Sequence, residues 1–473
     1  MSQTDSACTR WSSKRRKIVC AIIVVLGFFV RASAALVWQS SITDESHFKW
    51  GDSDTYWSLA RTIANGTPYQ YGSPDSKIFR APLYPLFLSP WTMLLPAGER
   101  GTWTAIMAAR LAGCVLGAVC IGLVMRLASH LTRASALFVS EERGFCRTQV
   151  WAGLLAMLYP GAIGMSIFVL SESLFCPFMI LSLFSTYLAI ESNNDENRKG
   201  AIIWIILAGV LSGAACLTRP SWSLWPAVLF PYLFLVMVPC VPRIHWRKLR
   251  EWVTCCVLYC AGICLVMSPW WIRNYNITGK FVPTTLQVGA SLYDGWHSGA
   301  SGSSDENMNF VTAFEIEQRA EDHQLESQSA SLDGTFEWRL DRRMKNAAIQ
   351  WAYENSSDAR KLGLVKLIKT WSPLPVAREL GSDAVRWLEA IGYMAIVCFA
   401  AVGVWQCRHL PGAWLVAMPC LYFAVLHMFF IGSVRYRQPA VLVLCALGGI
   451  GCNVLAKWIG SHCKRDKANS MDR

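Results

Sequence analysis

Charge is scarce in this chain of 473 residues: only 16% are Asp, Glu, Lys or Arg, against about a quarter in an ordinary soluble protein. That shortage, with 53% hydrophobic residues, excludes a water-facing globule. Cysteine is absent from the two longest polar stretches, 39–103 and 273–386, although the chain has 18 cysteines. A disulfide-stapled external domain is therefore excluded; most cysteines sit in apolar runs, where they act as small hydrophobes. No Cys/His spacing of the metal-binding kind occurs, and no repeat at fixed period marks a solenoid. The net charge of +12 is not arranged as a basic stripe with interleaved aromatics, which excludes nucleic acid as a partner.

What is present is a series of apolar runs long enough to cross roughly 30 Å of hydrocarbon as helices. Ten fit, at about 18–38, 104–129, 149–168, 173–190, 201–218, 221–239, 252–272, 387–406, 412–431 and 438–458. Basic clusters at Lys14-Arg15-Arg16-Lys17, Arg198-Lys199, Arg243 to Arg250 and Lys464 to Lys467 flank span ends. Lys and Arg bias orients a span with its basic side in the cytoplasm, so both termini are expected inside. The first run reads as an uncleaved signal-anchor, since Arg31-Ala32-Ser33-Ala34 is a weak small-residue cleavage site. The expected fold class is an all-α polytopic membrane protein. It divides into 1–272, with a first external loop 39–103, an external and partly helical stretch 273–386, and a three-helix membrane segment with cytoplasmic tail, 387–473.

The first external loop carries Asp44-Glu45, Asp52 and Asp54, and Tyr56, Leu59, Ala60 and Ile63 follow at helical spacing. The pattern predicts a short amphipathic helix at the membrane surface, ended by Thr67-Pro68. Leu83 to Leu95 is apolar but short and Pro-bounded, a re-entrant or interfacial piece. The stretch His297 to Asp305 is rich in Ser and Gly and reads as flexible, whereas Phe310 to Glu354 has helical patterning. The outer turns carry Tyr159-Pro160 with Ser171-Glu172, then Leu217 to Pro220, Pro269 to Tyr275, and Ser433 to Arg437.

Carboxylates and guanidiniums thus converge on the external side. Acid beside hydrocarbon is costly unless paired or used. Asp52 and Asp54 are candidates for a general base, against a plain role as helix N-caps; Asp44-Glu45 are alternatives. Glu172 opens a span, where it either meets substrate or simply complements a helix N-terminus. Arg219, Arg273, Arg435 and Arg437 lie at outer span ends; a guanidinium fork matches phosphate, or else snorkels to lipid headgroups. His427 reads as a satisfied bundle histidine, and Trp270-Trp271 as interfacial aromatics.

Together the segments Asp52-x-x-x-Tyr56-x-x-x-Ala60, Gly66 and Arg80-x-Pro82-Leu83-Tyr84-Pro85 resemble the integral-membrane glycosyltransferases of the C superfamily. So do Ser171-Glu172-Ser173, Arg219-Pro220, Pro269-Trp270-x-x-Arg273-Asn274 and Arg435-Tyr436-Arg437. The nearer branch is similar to dolichyl-phosphate-mannose protein mannosyltransferases and bacterial aminoarabinose (lipid A) transferases. The resemblance implies an inverting hexosyl- or pentosyltransferase that takes sugar from a polyprenyl-phosphate donor, acting at the extracytoplasmic face of a bacterial inner membrane among its lipids. The acceptor would be a glycan, lipid or protein. Asp52 would be the base and Glu172 would orient substrate, while Tyr56, Arg80, Tyr84, Arg219, Arg273, Arg435 and Arg437 would bind it. The family usually has Asp-Glu where this chain has Asp52-Ser53, so Asp54 or Asp44-Glu45 stands in as the second acid. No cofactor is implied with certainty, and a divalent cation is left open. The competing readings are a polymerase or ligase of envelope polysaccharide and a lipid-linked glycan transporter.

Overall fold

The computed structural model describes residues 13–42, 48–49, 51–93, 99–135, 142–238, 246–305, 308–374 and 383–471. Asp44-Glu45 and the start of the Arg243 to Arg250 cluster lie outside them. Among the described residues there are seventeen α-helices and no strand. In the membrane part these are α1 (Ser13–Ser40), α4 (Glu99–Ala134), α5 (Glu142–Leu158), α6 (Pro160–Ile167), α7 (Glu172–Asn194), α8 (Arg198–Thr218), α9 (Trp225–Met237) and α10 (Trp246–Thr278). It is completed by α15 (Asp383–Cys407), α16 (Pro411–Phe429) and α17 (Val434–Met471). Outside the set of spanning helices are α2 (Gly51–Ala64), α3 (Leu83–Met93), α11 (Val288–Gly295), α12 (Asn309–Ser327), α13 (Phe336–Glu354) and α14 (Ser356–Trp371). Nine helices among the described residues are long and apolar enough to span, and α5 with α6 supplies a tenth, bent by 58°. The chain is a multi-pass membrane protein. Every cysteine whose side chain is described is free.

The bend corrects one sequence expectation. Tyr159-Pro160 does not sit in an outer turn but at the break between α5 and α6, with Pro160 at the first position of α6. Proline has no N–H, so the Ala156 carbonyl loses its helical donor. Arg31, 1% exposed in the middle of α1, replaces it: Nη2 donates to Ala156 O at 2.9 Å and Nη1 to Met157 O at 3.3 Å, while Nε reaches Ser166 Oγ at 3.2 Å. A charge inside hydrocarbon is thereby spent on carbonyls that no water can reach. Tyr159 in turn hydrogen-bonds to Glu389 of α15 and Gln438 of α17.

The helices α7 and α17 are the most enclosed, with 83% of their apolar windows buried against 22% for α1, α9 and α10. That difference puts α7 and α17 at the centre of the bundle and leaves the others facing lipid. The helices α8 and α10 approach closely because Gly209 and Gly262 face each other's partner helix. A Cβ at Gly262 would stand 2.6 Å from Ile206 O, and one at Gly209 would strike the Tyr259 carbonyl. Small residues of this kind let membrane helices make backbone contact.

Outside the bundle, α2 ends in a Schellman motif: Gly66 has φ 64°, Thr67 N donates to Thr62 O at 2.9 Å and Gly66 N to Ile63 O at 3.2 Å. Its apolar face (Tyr56, Trp57, Ala60) packs with Tyr84 and Leu88 of α3 and with Ala105 and Ile106 of α4 and Leu174 of α7 at one end of the bundle. The stretch expected to be flexible, His297 to Asp305, is tied down instead. Gly432 N donates to Gly302 O at 2.9 Å, Lys369 Nζ to Ser301 O at 2.9 Å, and Asp305 N to Asp294 Oδ1 at 3.0 Å. Its polar side chains and glycines are solving a packing problem against α14 and the turn before α17, which composition alone cannot reveal.

Candidate functional site

Five segments meet at one end of the bundle and place their charged groups in a single chain of ion pairs. Asp52 stands in the first turn of α2 and Arg80 in the loop before α3. Glu172 opens α7, Arg219 follows the last residue of α8, and Arg435 is the second residue of α17. Arg80 Nη2 lies 2.5 Å from Asp52 Oδ1, and Arg435 Nη1 is 2.8 Å from Asp52 Oδ2. The other edge of Arg435 forks onto Glu172, Nε to Oε1 at 2.5 Å and Nη2 to Oε2 at 3.3 Å, and Arg219 Nη1 reaches the same Oε1 at 2.5 Å. Three guanidiniums face two carboxylates, leaving one positive charge in excess.

Helix ends explain part of this placement. Carboxylates at the N-termini of α2 and α7 are favoured by the backbone dipole, whereas Arg435 near the N-terminus of α17 is disfavoured by it. Two carboxylates offset that cost. Burial pushes the Asp52 carboxyl up, but the Arg80 and Arg435 guanidiniums more than reverse this and hold it well below the usual carboxylate range. Glu172 is 1% exposed and Asp52 35%, so the ion-pair chain runs from the protein interior out to the open face.

Aromatic rings line the same place. Arg80 lies over Tyr56 at 5.1 Å, and Tyr56 meets Tyr84 edge to face at 5.0 Å. Arg219 lies over Tyr436 at 5.3 Å, and His427 stacks on Tyr436 at 4.3 Å while its Nδ1 donates to Ile431 O at 2.8 Å. Arg80 Nη1 donates to Gln287 Oε1 at 2.9 Å.

Thus Asp52, Glu172, Tyr56, Arg80, Tyr84, Arg219 and Arg435 are brought together. Three residues singled out from sequence are not. Asp54 is exposed, because it follows Asp52 by two residues and a helix turns that position to another side. Arg273 lies over Trp270 at 4.7 Å and donates to Lys77 O at 3.1 Å, holding a loop rather than facing the acids. Arg437, 0% exposed, sits over Tyr393 at 3.6 Å and donates to Ser372 O, two positions beyond Arg435 and likewise on another side of α17. The external alternates Asp44-Glu45 lie outside the described residues.

The residues present do not fit a divalent cation as they stand. Among the described residues no group of three or more His, Cys, Asp or Glu side chains converges. Both carboxylates that do meet here have their oxygens occupied by guanidiniums, and a cation would have to displace Arg435 from one of them.

Sequence reasoning missed Gln287, Arg31, Glu389 and two acids of the external segment, Glu337 and Asp341. A charge inside an apolar run was the available signal for Arg31 and Glu389; the others carry none, being polar residues in polar stretches.

Comparison with known proteins follows from the fold rather than the sequence. No protein-family model and no curated protein sequence matches the chain. Among solved structures, the oligosaccharyltransferase AglB of Archaeoglobus fulgidus, in complex with an inhibitory peptide and a dolichol-phosphate, superposes with a TM-score of 0.55. The match covers 97% of this chain at 13% identity. The apo form of an oligosaccharyltransferase from the same organism gives 0.55 over 98% at 14% identity. The chain therefore shares its membrane fold with these oligosaccharyltransferases. It spans about half the length of these GT-C oligosaccharyltransferases, 52% in each case. ArnT of Cupriavidus metallidurans bound to undecaprenyl phosphate, also a GT-C protein, aligns over 92% of this chain and 78% of its own, at 14% identity and a TM-score of 0.40.

Proposed function

We propose that this chain is a glycosyltransferase that moves a sugar from a polyprenyl-phosphate carrier to an acceptor at the extracytoplasmic face of a bacterial inner membrane. The observation that carries the reading is the bridge of Arg435 between Asp52 and Glu172 at the outer ends of the two central spans. A lipid phosphate held at headgroup depth meets guanidiniums there, beside a carboxylate placed to take a proton. AglB, of the same fold, holds a dolichol-phosphate.

In the reaction, an acceptor hydroxyl or amine attacks the anomeric carbon and gives its proton to the Asp52 carboxylate. The bond from that carbon to the phosphate oxygen breaks with its electron pair going to the phosphate, and the configuration inverts. The leaving phosphate gains a negative charge as the bond breaks. The excess guanidinium charge of Arg80, Arg219 and Arg435 binds that state more tightly than the donor, which is where rate is gained. With both Arg80 and Arg435 upon it Asp52 is a weak base; donor phosphate competing for Arg435 frees one oxygen and raises its basicity. Glu172 keeps Arg435 and Arg219 in register. Residues 1–272 would form the donor module, 387–473 would lend it Arg435, and 273–386 would lie on the acceptor side.

Asp52→Asn tests the reading. The variant keeps the shape and loses the proton acceptor, so it should insert and fold normally and transfer sugar at least about a hundredfold more slowly. The check is mass spectrometry of envelope glycans and glycoproteins from cells with the wild-type gene, the variant or none. An Asp52→Asn strain with a wild-type glycan profile refutes Asp52 as the base.

A further inference from the structure

The external helix α13 presents two buried carboxylates one turn apart, Glu337 and Asp341, and neither faces solvent or an arginine of the ion-pair chain. Both face backbone. Glu337 Oε2 accepts from Lys77 N at 2.9 Å and Ile78 N at 3.0 Å, and Asp341 Oδ1 accepts from Gly289 N at 2.6 Å. The two gripped segments are joined to each other, since Leu286 N donates to Ile78 O at 3.0 Å. Three residues past Lys77 comes Arg80, and two before Gly289 comes Gln287, the pair linked by Arg80 Nη1 and Gln287 Oε1 at 2.9 Å. From the membrane side Arg273 closes the bracket by donating to Lys77 O at 3.1 Å.

The approach is tight. Gly289 lies so close to α13 that a Cβ there would stand 2.9 Å from the Asp341 carbonyl carbon. Small apolar contacts among Ala290, Leu340 and Met344 fill the rest of the α11–α13 interface. A carboxylate that accepts backbone N–H bonds in a buried place makes a strong, charge-assisted contact, and its two targets here are the segments that carry Arg80 and its partner.

We propose that Glu337 and Asp341 are positioning residues for the ion-pair chain: by gripping the 77–80 and 286–289 segments they fix Arg80, and through Arg80 they fix Asp52. The external segment 273–386 thereby sets the geometry of a site to which, among its described residues, it contributes Gln287. The bracket itself stands on its hydrogen bonds, and its consequence for catalysis rests on the glycosyl-transfer reading above.

The arrangement is also sensitive to pH. Burial pushes the Glu337 carboxyl up to about 7, with the Asp341 charge adding to this, while its two backbone N–H bonds and Arg273 of α10 oppose it. Burial likewise raises Asp341 to about 6 against its bond from Gly289 N and the charge of Lys345. A protonated carboxyl offers one acceptor fewer, so the grip weakens as pH falls through about 7. Because the folded value lies above the unfolded one of about 4.3, the same protonation adds global stability as pH falls from about 7 toward about 4. Loss of grip in that window is therefore separable from unfolding.

The test uses the full chain in detergent and three variants, Glu337→Ala, Glu337→Gln and Asp341→Asn, each checked for thermal unfolding. Amide hydrogen exchange is followed in peptides covering 76–80 and 285–290, and affinity is measured for a fluorescent short-chain polyprenyl phosphate between pH 5.5 and about 8. Glu337→Ala should speed exchange at Lys77 and Ile78 by about tenfold or more and weaken lipid-phosphate binding by about tenfold. Glu337→Gln keeps a carbonyl acceptor without titrating, so it should retain protection and shift the onset of weakening from about pH 7 down to about 6, where Asp341 takes its proton, and adding Asp341→Asn should remove the weakening. Unchanged exchange in Glu337→Ala overturns the bracket. Faster exchange with unchanged affinity overturns its link to Arg80. A wild-type protein that fails to bind polyprenyl phosphate refutes the proposed function instead, and the exchange data still decide the bracket.

Discussion

Replacing Arg435 with alanine removes the residue that bridges the two carboxylates. After the change Asp52 keeps Arg80 at 2.5 Å and Glu172 keeps Arg219 at 2.5 Å, so neither acid is orphaned. The full penalty of about 3–5 kcal/mol for breaking a buried pair therefore does not apply, and the protein should remain folded. The functional loss is larger. A guanidinium that donates to a phosphate is worth about 1.5–3 kcal/mol, so affinity for polyprenyl phosphate should fall by about ten- to a hundredfold. Removing a donor aimed at developing charge costs about 2.7–4 kcal/mol, so turnover should fall by about 10²- to 10³-fold. Both are measured on purified protein, the first with fluorescent lipid phosphate and the second with labelled polyprenyl-phosphate sugars offered as a panel. The acid limb of stability supplies an independent readout. A carboxyl whose folded value is depressed contributes stability above the unfolded value of about 3.9, and loses it as pH falls through the folded value. Asp52 is such a group, and without Arg435 its contribution shrinks. The difference in Tm between wild type and variant should thus be widest above about pH 5 and should narrow below about pH 4. Turnover within threefold of wild type, or an unchanged lipid affinity, would falsify the placing of Arg435 at the phosphate.

Two further outcomes follow from the geometry. Arg437→Ala strips the donor from the part-buried Ser372 carbonyl just past α14 and the cation 4.0 Å from Glu389, so it should lower stability by about 1–3 kcal/mol; because Arg437 faces away from Asp52 and Glu172, lipid-phosphate affinity should stay within about twofold, and a tenfold loss would return this arginine to the site. Chelation of divalent cations should leave transfer intact, since guanidiniums already occupy the carboxylate oxygens; activity lost to chelator and restored by added cation would mean that Arg435 yields its place to a metal.

How much of this could be read before folding depends on the range of the interaction concerned. Spans announce themselves locally, through apolar runs matched to the thickness of hydrocarbon, and so the chain's composition decided that it crosses the membrane about ten times with its acids and arginines at one end. Helix α2 was also legible, from the spacing of Tyr56, Leu59, Ala60 and Ile63, although its stop is the Schellman glycine Gly66 rather than Thr67-Pro68. Which charged side chains would meet was a different matter. Asp52 and Asp54 differ by two residues, as do Arg435 and Arg437, and one of each pair turns away because a helix advances 100° per residue. That rotation matters only once neighbouring helices are in place. Arg31 was visible as a charge in a span, but its purpose depends on a proline break 129 residues later in the chain. Glu337, Asp341 and Gln287 gave no sign at all, being ordinary polar residues in a polar stretch. Their partners are backbone groups, which carry no mark in the sequence. The sequence by itself determined the solvent, the helices and the gathering of charge at one end of the bundle. Only the tertiary structure chose the partners, because hydrogen bonds and ion pairs act over a few ångströms between segments whose separation along the chain says nothing about their separation in space.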